Sequence, residues 1–128
     1  MSETHRILLV EDEELNRTLV KAVLSRATST EVREAEVVDA GTLATARDRL
    51  GDTEIDLILL DLNLPDGDGL TLARELAAGG RPRPVVVAVS ASVLPQDHQA
   101  ALAAGCDDFL DKPYAAADLV AMVARYLN

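Results

Sequence analysis

The sequence predicts an α/β domain built on a doubly wound parallel sheet of five strands, each followed by a helix. Three observations carry that prediction. Short apolar runs alternate with segments of helical periodicity about five times along the 128 residues, the pattern of a (βα)5 chain. The run from Ile55 to Leu60 is apolar on both faces, as a strand covered by helices on either side should be. Finally, the runs end in polar residues: Glu11 and Asp12, Asp61, Ser90 and Lys112. Ligands of an open parallel sheet bind in the crevice beyond the C-terminal strand ends. Five strands of this kind usually take the order 2-1-3-4-5, joined by right-handed crossovers.

Each element has its own justification. The first strand is Arg6 to Val10, and Leu15, Leu19, Ala22, Val23 and Ala27 follow at helical spacing. The second strand, near Glu31 to Val38, alternates imperfectly through Val32, Ala35, Val37 and Val38, which suits an edge or a bulge. Its helix runs from about Thr42 to Leu50 and is expected to stop at Gly51. The third strand is Ile55 to Leu60. Pro65-Asp66-Gly67-Asp68-Gly69 is a turn, and Leu70 to Ala78 is a helix closed by Gly79-Gly80. Val85 to Val89 is the fourth strand. Pro95 is acceptable in the first turn of the next helix, which ends before Gly105. Asp108 to Asp111 is the fifth strand, and the last helix runs from about Ala115 to Leu127. No linker, repeat or low-complexity segment interrupts the pattern, so residues 1–128 are read as one domain.

Composition excludes several functions. The net charge is −10, and no Lys/Arg cluster or aromatic platform offsets it, which argues against direct nucleic-acid binding. Phe109, Tyr114 and Tyr126 are the aromatics, too few to cradle a flavin. No apolar stretch approaches the ~20 residues that span a bilayer, and Met1-Ser2-Glu3-Thr4 lacks the basic and apolar regions of a signal peptide. Cys106 is alone, so no internal disulfide forms and a cytoplasmic setting is expected. His5 and His98 have no second ligand at metal spacing and read as surface residues. Asp61-x-Asn63 with Gly67 hints at a calcium loop, but Leu72 stands where the bidentate acid belongs. No glycine-rich phosphate cradle follows the first strand.

Three carboxylates, a hydroxyl and an ammonium in one crevice suit a divalent cation plus a phosphoryl group. With neighbouring strands about 4.8 Å apart, Asp61 on the central strand would have the acidic pair on one flank and Ser90 on the other. Lys112 is two strands away, about 10 Å, a gap that a long flexible stem can close. Gathering Glu11, Asp12 and Asp61 is costly, because like charges raise each other's pKa, and Mg²⁺ with its preference for carboxylate oxygens resolves this. Asp61 is placed to be the nucleophile on a phosphoryl group. Lys112 and Ser90 would stabilise the transferring oxygens.

The segments Leu8 to Glu13, Leu59 to Gly69, Ser90-Ala91, and Ala104-Gly105 through Lys112-Pro113 resemble the receiver domain of two-component response regulators. The likeness covers essentially the whole chain and implies a flavodoxin-like fold. It also implies that Asp61 is phosphorylated by a sensor histidine kinase or a histidine phosphotransfer protein. Asp12, Asp61 and the main-chain carbonyl of Asn63 would coordinate Mg²⁺, with Glu11 acting through water. Lys112 would pair with the phosphoryl group, and Lys112-Pro113 would be cis, a form that proline permits at a penalty of about 0.5–1 kcal/mol. Ser90 and Phe109 would be a coupled switch pair that reorganises the face formed by the fourth helix, fifth strand and fifth helix for a downstream protein effector. Such a module is a switch and not an enzyme, with only slow self-phosphorylation and dephosphorylation.

Some positions depart from the family. Glu11 stands where Asp is common, and Phe109 replaces a frequent Tyr. The segment from Glu31 to Thr42 is longer than usual. The fourth helix carries no Lys or Arg, which argues against the charge-paired dimer of DNA-binding members and leaves only a weak homodimer open. Leu15-Asn16-Arg17 and Asp107-Asp108-Phe109 look more like receivers of hybrid kinases or phosphorelays. The competing reading is a phosphatase of the haloacid-dehalogenase type, which also uses an Asp nucleophile with Mg²⁺. It needs a second Asp two residues on, where this chain has Asn63, and Asn cannot exchange a proton there.

Overall fold

In a computed structural model describing residues 4–80, 83–91 and 94–127, five parallel strands form one sheet. They are β1 (Arg6–Val10), β2 (Glu36–Ala40), β3 (Leu57–Asp61), β6 (Val85–Ser90) and β7 (Asp108–Asp111), in the order β2-β1-β3-β6-β7. In sheet order this is the expected 2-1-3-4-5. The helices are α1 (Glu14–Ser25), α2 (Thr30–Arg33), α3 (Leu43–Asp52), α4 (Leu70–Ala78), α5 (Pro95–Ala103) and α6 (Ala116–Leu127). A two-stranded antiparallel hairpin, β4 (Asn63–Leu64) with β5 (Gly67–Asp68), occupies the turn after β3.

Side chains alternate across a strand, and that period sorts the core into two layers. Leu8, Val10, Ile58, Leu60, Val86 and Ala88 face one way and pack on Leu43 and Ala46 of α3, Leu72 and Ala73 of α4, and Ala101 of α5. Ile7, Leu9, Leu57, Leu59, Val87 and Val89 face the other way, against Val20 and Leu24 of α1, Val32 of α2, and Leu119, Val123 and Leu127 of α6. Every residue of β3 is buried, as a strand covered on both faces must be.

The second strand needs correction. Thr30–Arg33 is a turn of helix rather than sheet, and β2 runs from Glu36 to Ala40. Val32 is 1% exposed and packs among α1 and α6 residues, so its apolar side chain is satisfied under the helices and not in the sheet. That short helix accounts for the unusual length of the segment. α3 runs on through Gly51 to Asp52, because the main chain there keeps helical hydrogen bonding, and Thr53 N–H donates to Arg49 O at 2.9 Å. β3 begins at Leu57, two residues after Ile55; Asp56 instead accepts a hydrogen bond from Arg6 N–H at 2.8 Å. α1 ends at Ser25, so Ala27 lies beyond it although it is buried.

Candidate functional site

β1, β3 and β7 deliver their C-terminal residues to one crevice. One carboxylate oxygen each from Glu11, Asp12 and Asp61 lie within 4.8 Å of one another. Glu11 and Asp61 are buried while Asp12 is exposed, so the cluster has a closed floor and an open mouth. The Lys112 ammonium spans the two strands between, donating to Asp61 Oδ2 at 3.1 Å and Glu11 Oε1 at 3.2 Å. Burial opposes its charge, but hydrogen bonding and attraction to Asp61 and Glu11 prevail and raise its pKa. A cation that stays protonated at neutral pH is the counter-charge this acidic group requires.

Backbone contacts fix the carboxylates. Glu11 Oε2 accepts from Glu13 N–H at 3.0 Å, and Asp61 Oδ1 accepts from Asn63 N–H at 2.9 Å. Asn63 therefore sits beside Asp61, at the first position of the hairpin. Ser90 is buried at the end of β6, and its carbonyl accepts from Lys112 N–H at 2.8 Å. Phe109 lies one strand further, half-buried against the α3–α5 layer. The Lys112-Pro113 bond is cis. The expected residues Glu11, Asp12, Asp61, Asn63 and Lys112 are thus brought together, with Ser90 and Phe109 on the neighbouring strands. Carboxylate oxygens are the donors a hard divalent cation prefers, so the acidic cluster fits one.

Several residues around the site had no clear signal in the sequence. A Cβ on Gly69 would lie 2.5 Å from the Asp61 carbonyl oxygen, so glycine is required for the chain to close behind Asp61. Asp66, read only as a turn residue, accepts from Leu43 N–H at 2.8 Å and Ala44 N–H at 3.1 Å, tying the hairpin to the start of α3. Those backbone hydrogen bonds hold its pKa below the ordinary carboxylate value. Arg17 reaches back from α1 to the Glu11 carbonyl at 2.8 Å and approaches Asp39 at 3.8 Å. Tyr114 borders the crevice, and burial pushes its phenol pKa up, with Lys112 pulling the other way. An open groove of about 660 Å³ adjoins the site between α1 and α6, lined by Glu11, Lys112, Leu19, Val23, Pro113 and Tyr114 among others.

His98 lies at the surface, as read from the sequence, with its side chain 37% exposed, and makes two contacts there. Its Nε2 lies 2.8 Å from Asp111 Oδ1, and its ring centroid is 4.2 Å from that of Phe109. Cys106 is buried, and desolvation pushes its thiol up to about 11, which leaves it an unreactive thiol at neutral pH.

Comparison with known proteins agrees with this geometry. The family model of the response regulator receiver domain matches residues 7–124. The two-component response regulator ORR41 of Oryza sativa subsp. japonica is 37% identical over 94% of this chain and 93% of its own length. The aerobic respiration control sensor protein ArcB of Escherichia coli is 40% identical over 94% of this chain, but the match spans only 15% of that longer protein. The BeF3-activated N-terminal receiver domain of Klebsiella pneumoniae RstA superposes with a TM-score of 0.84 at 27% identity, covering 97% of this chain and 99% of that one. The chain belongs to the response regulator receiver domain family and is a receiver domain of two-component signalling.

Proposed function

We propose that Asp61 is the phosphoacceptor of a Mg²⁺-dependent switch, residues 1–128 acting as one receiver unit. The observation that supports this most is the Lys112 ammonium held within 3.2 Å of both Asp61 and Glu11 beside a carboxylate cluster that fits a cation. An Asp61 carboxylate oxygen attacks the phosphorus of a phosphohistidine. The P–O bond forms as the P–N bond breaks, and the imidazole, protonated on its other nitrogen, leaves with the bonding pair as a neutral ring. Asp12, Asp61 and the Asn63 carbonyl would hold Mg²⁺, with Glu11 acting through water; the bound ion would neutralise charge on the phosphoryl oxygens. Lys112 meets the remaining charge, and the Ser90 hydroxyl donates to a phosphoryl oxygen. Ser90 and Phe109 then act as the switch pair for the α5–β7–α6 face.

The donor is a sensor histidine kinase or a histidine phosphotransfer protein, and the exposed Leu15 and Leu19 of α1, beside the groove, give it an apolar surface to cover. The output is a downstream protein effector. The acidic surface argues against direct nucleic-acid contact, and α5, without Lys or Arg, favours at most a weak homodimer. Among the described residues no helix is long and apolar enough to cross a membrane, in keeping with a cytoplasmic module. The role is that of a switch whose self-phosphorylation and dephosphorylation are slow. A haloacid-dehalogenase-type phosphatase is disfavoured by Asn63, whose amide cannot serve as general acid.

Incubation with Mg²⁺ and phosphoramidate, followed by intact-mass measurement, should show one added phosphoryl group. The addition is expected to disappear with EDTA and in Asp61→Asn. Equal labelling of Asp61→Asn would reject the assignment, and steady turnover of phosphomonoesters would favour the phosphatase.

A further inference from the structure

His98 touches two residues of β7, Phe109 and Asp111. Residues two apart on a strand share a face, so one helical side chain grips that face twice. The ring contact is at 4.2 Å with a 34° tilt, and the polar contact to Asp111 is at 2.8 Å. Asp111 is the register partner of Ser90, and Phe109 is that of Ala88. The grip therefore holds the ring of one proposed switch residue, Phe109, and the register partner of the other, Ser90. Aromatic pairs in offset or tilted contact attract beyond their buried area, and a side-chain hydrogen bond adds to that.

We propose that His98 is a positioning residue for the switch: it latches the Phe109 ring against α5 and thereby favours the resting arrangement of Ser90. This deepens the phosphoacceptor reading, on which its link to phosphorylation rests. Among the described residues, the charged groups on the elements packed beside the latch include Asp97 on α5, Asp108 on β7, and Asp118 and Arg125 on α6. Asp108 is engaged by Tyr126 at 2.7 Å and by Arg125 at 3.4 Å, and Arg125 and Asp118 line a second groove together with Phe109 and Asp111. Asp111 is the carboxylate within hydrogen-bond distance of the His98 ring. On this proposal the contact belongs to the resting state and breaks when the ring moves, so it lowers the apparent affinity for anything that selects the active state.

The test starts with the unphosphorylated protein. The Phe109 χ1 population is measured by NMR couplings in wild type, His98→Ala, Asp111→Asn and, as a control on the same helix, Leu102→Ala. The ring population should shift in the first two variants and not in the control. An unchanged population in His98→Ala overturns the latch whatever Asp61 does. Beryllofluoride with Mg²⁺ is then titrated. Affinity should rise roughly two- to tenfold in His98→Ala, the range set by losing one such contact. The double variant His98→Ala/Asp111→Asn should gain less than the sum of the singles. Unchanged or weaker binding in His98→Ala overturns the link to the switch. Loss of binding in every protein, wild type included, overturns the phosphoacceptor reading, while the ring measurement still decides the latch.

Discussion

At the level of single residues, the site is a problem of charge and of space. Lys112 offsets the repulsion between two buried carboxylates, while Arg17 and the Asn63 and Glu13 amides fix the chain around them. Gly69 is the spatial counterpart: its missing side chain lets the polypeptide close behind Asp61. Gly69→Ala should therefore cost about 1–3 kcal/mol in urea denaturation, the usual range for overpacking, and should slow phosphorylation of Asp61 as well. Unaltered stability would mean the backbone relaxes without disturbing the site. Asp39 makes a second prediction. Hydrogen bonding to Lys21 lowers its pKa from 3.8, against the effect of burial and with further attraction from Lys21 and Arg17. A depressed folded-state value contributes stability that is present above the unfolded value and lost as pH falls through the folded one. Asp39→Asn should thus be less stable than wild type at neutral pH, with the gap closing on acidification below about pH 4. Parallel denaturation curves at several pH values check this.

At the level of elements, what the sequence disclosed depended on whether an element's partners were local or distant. β1, α4 and β7 matched their expected bounds, because their apolar runs end at Gly or charged residues that also end the structure. The segment near Val32 did not. Its spacing fits a strand or a helical turn equally, and contact with α6, about ninety residues later in the chain, decides for the turn. If that burial is what maintains α2, Val32→Ala should destabilise the protein by about 2 kcal/mol and raise amide exchange over Thr30–Arg33 more than elsewhere. Loss of exchange protection spread evenly over the sheet would contradict this local role. The same limit hid the Asp66 cap on α3 and the His98 contacts, which join residues brought together only by the fold. Glu11, Asp12, Asp61 and Lys112 were legible for the opposite reason: parallel strands place every C-terminal end on one edge, so position within each run was enough.

For the whole molecule, the doubly wound sheet converts four separated segments into one acidic crevice, and its two apolar layers bury β3 on both faces at the centre. On the proposed switch, a phosphoryl group on Asp61 would be felt at β7 through β6, the strand between them. The central claim is that the carboxylate at the end of β3, and no other, takes the phosphoryl group. Borohydride reduction after Mg²⁺-dependent phosphorylation, followed by peptide mass spectrometry, tests it most directly, because an acyl phosphate is reduced to the alcohol. Homoserine is expected at position 61 alone. Conversion at Asp12 or Glu11, or none anywhere, would contradict it.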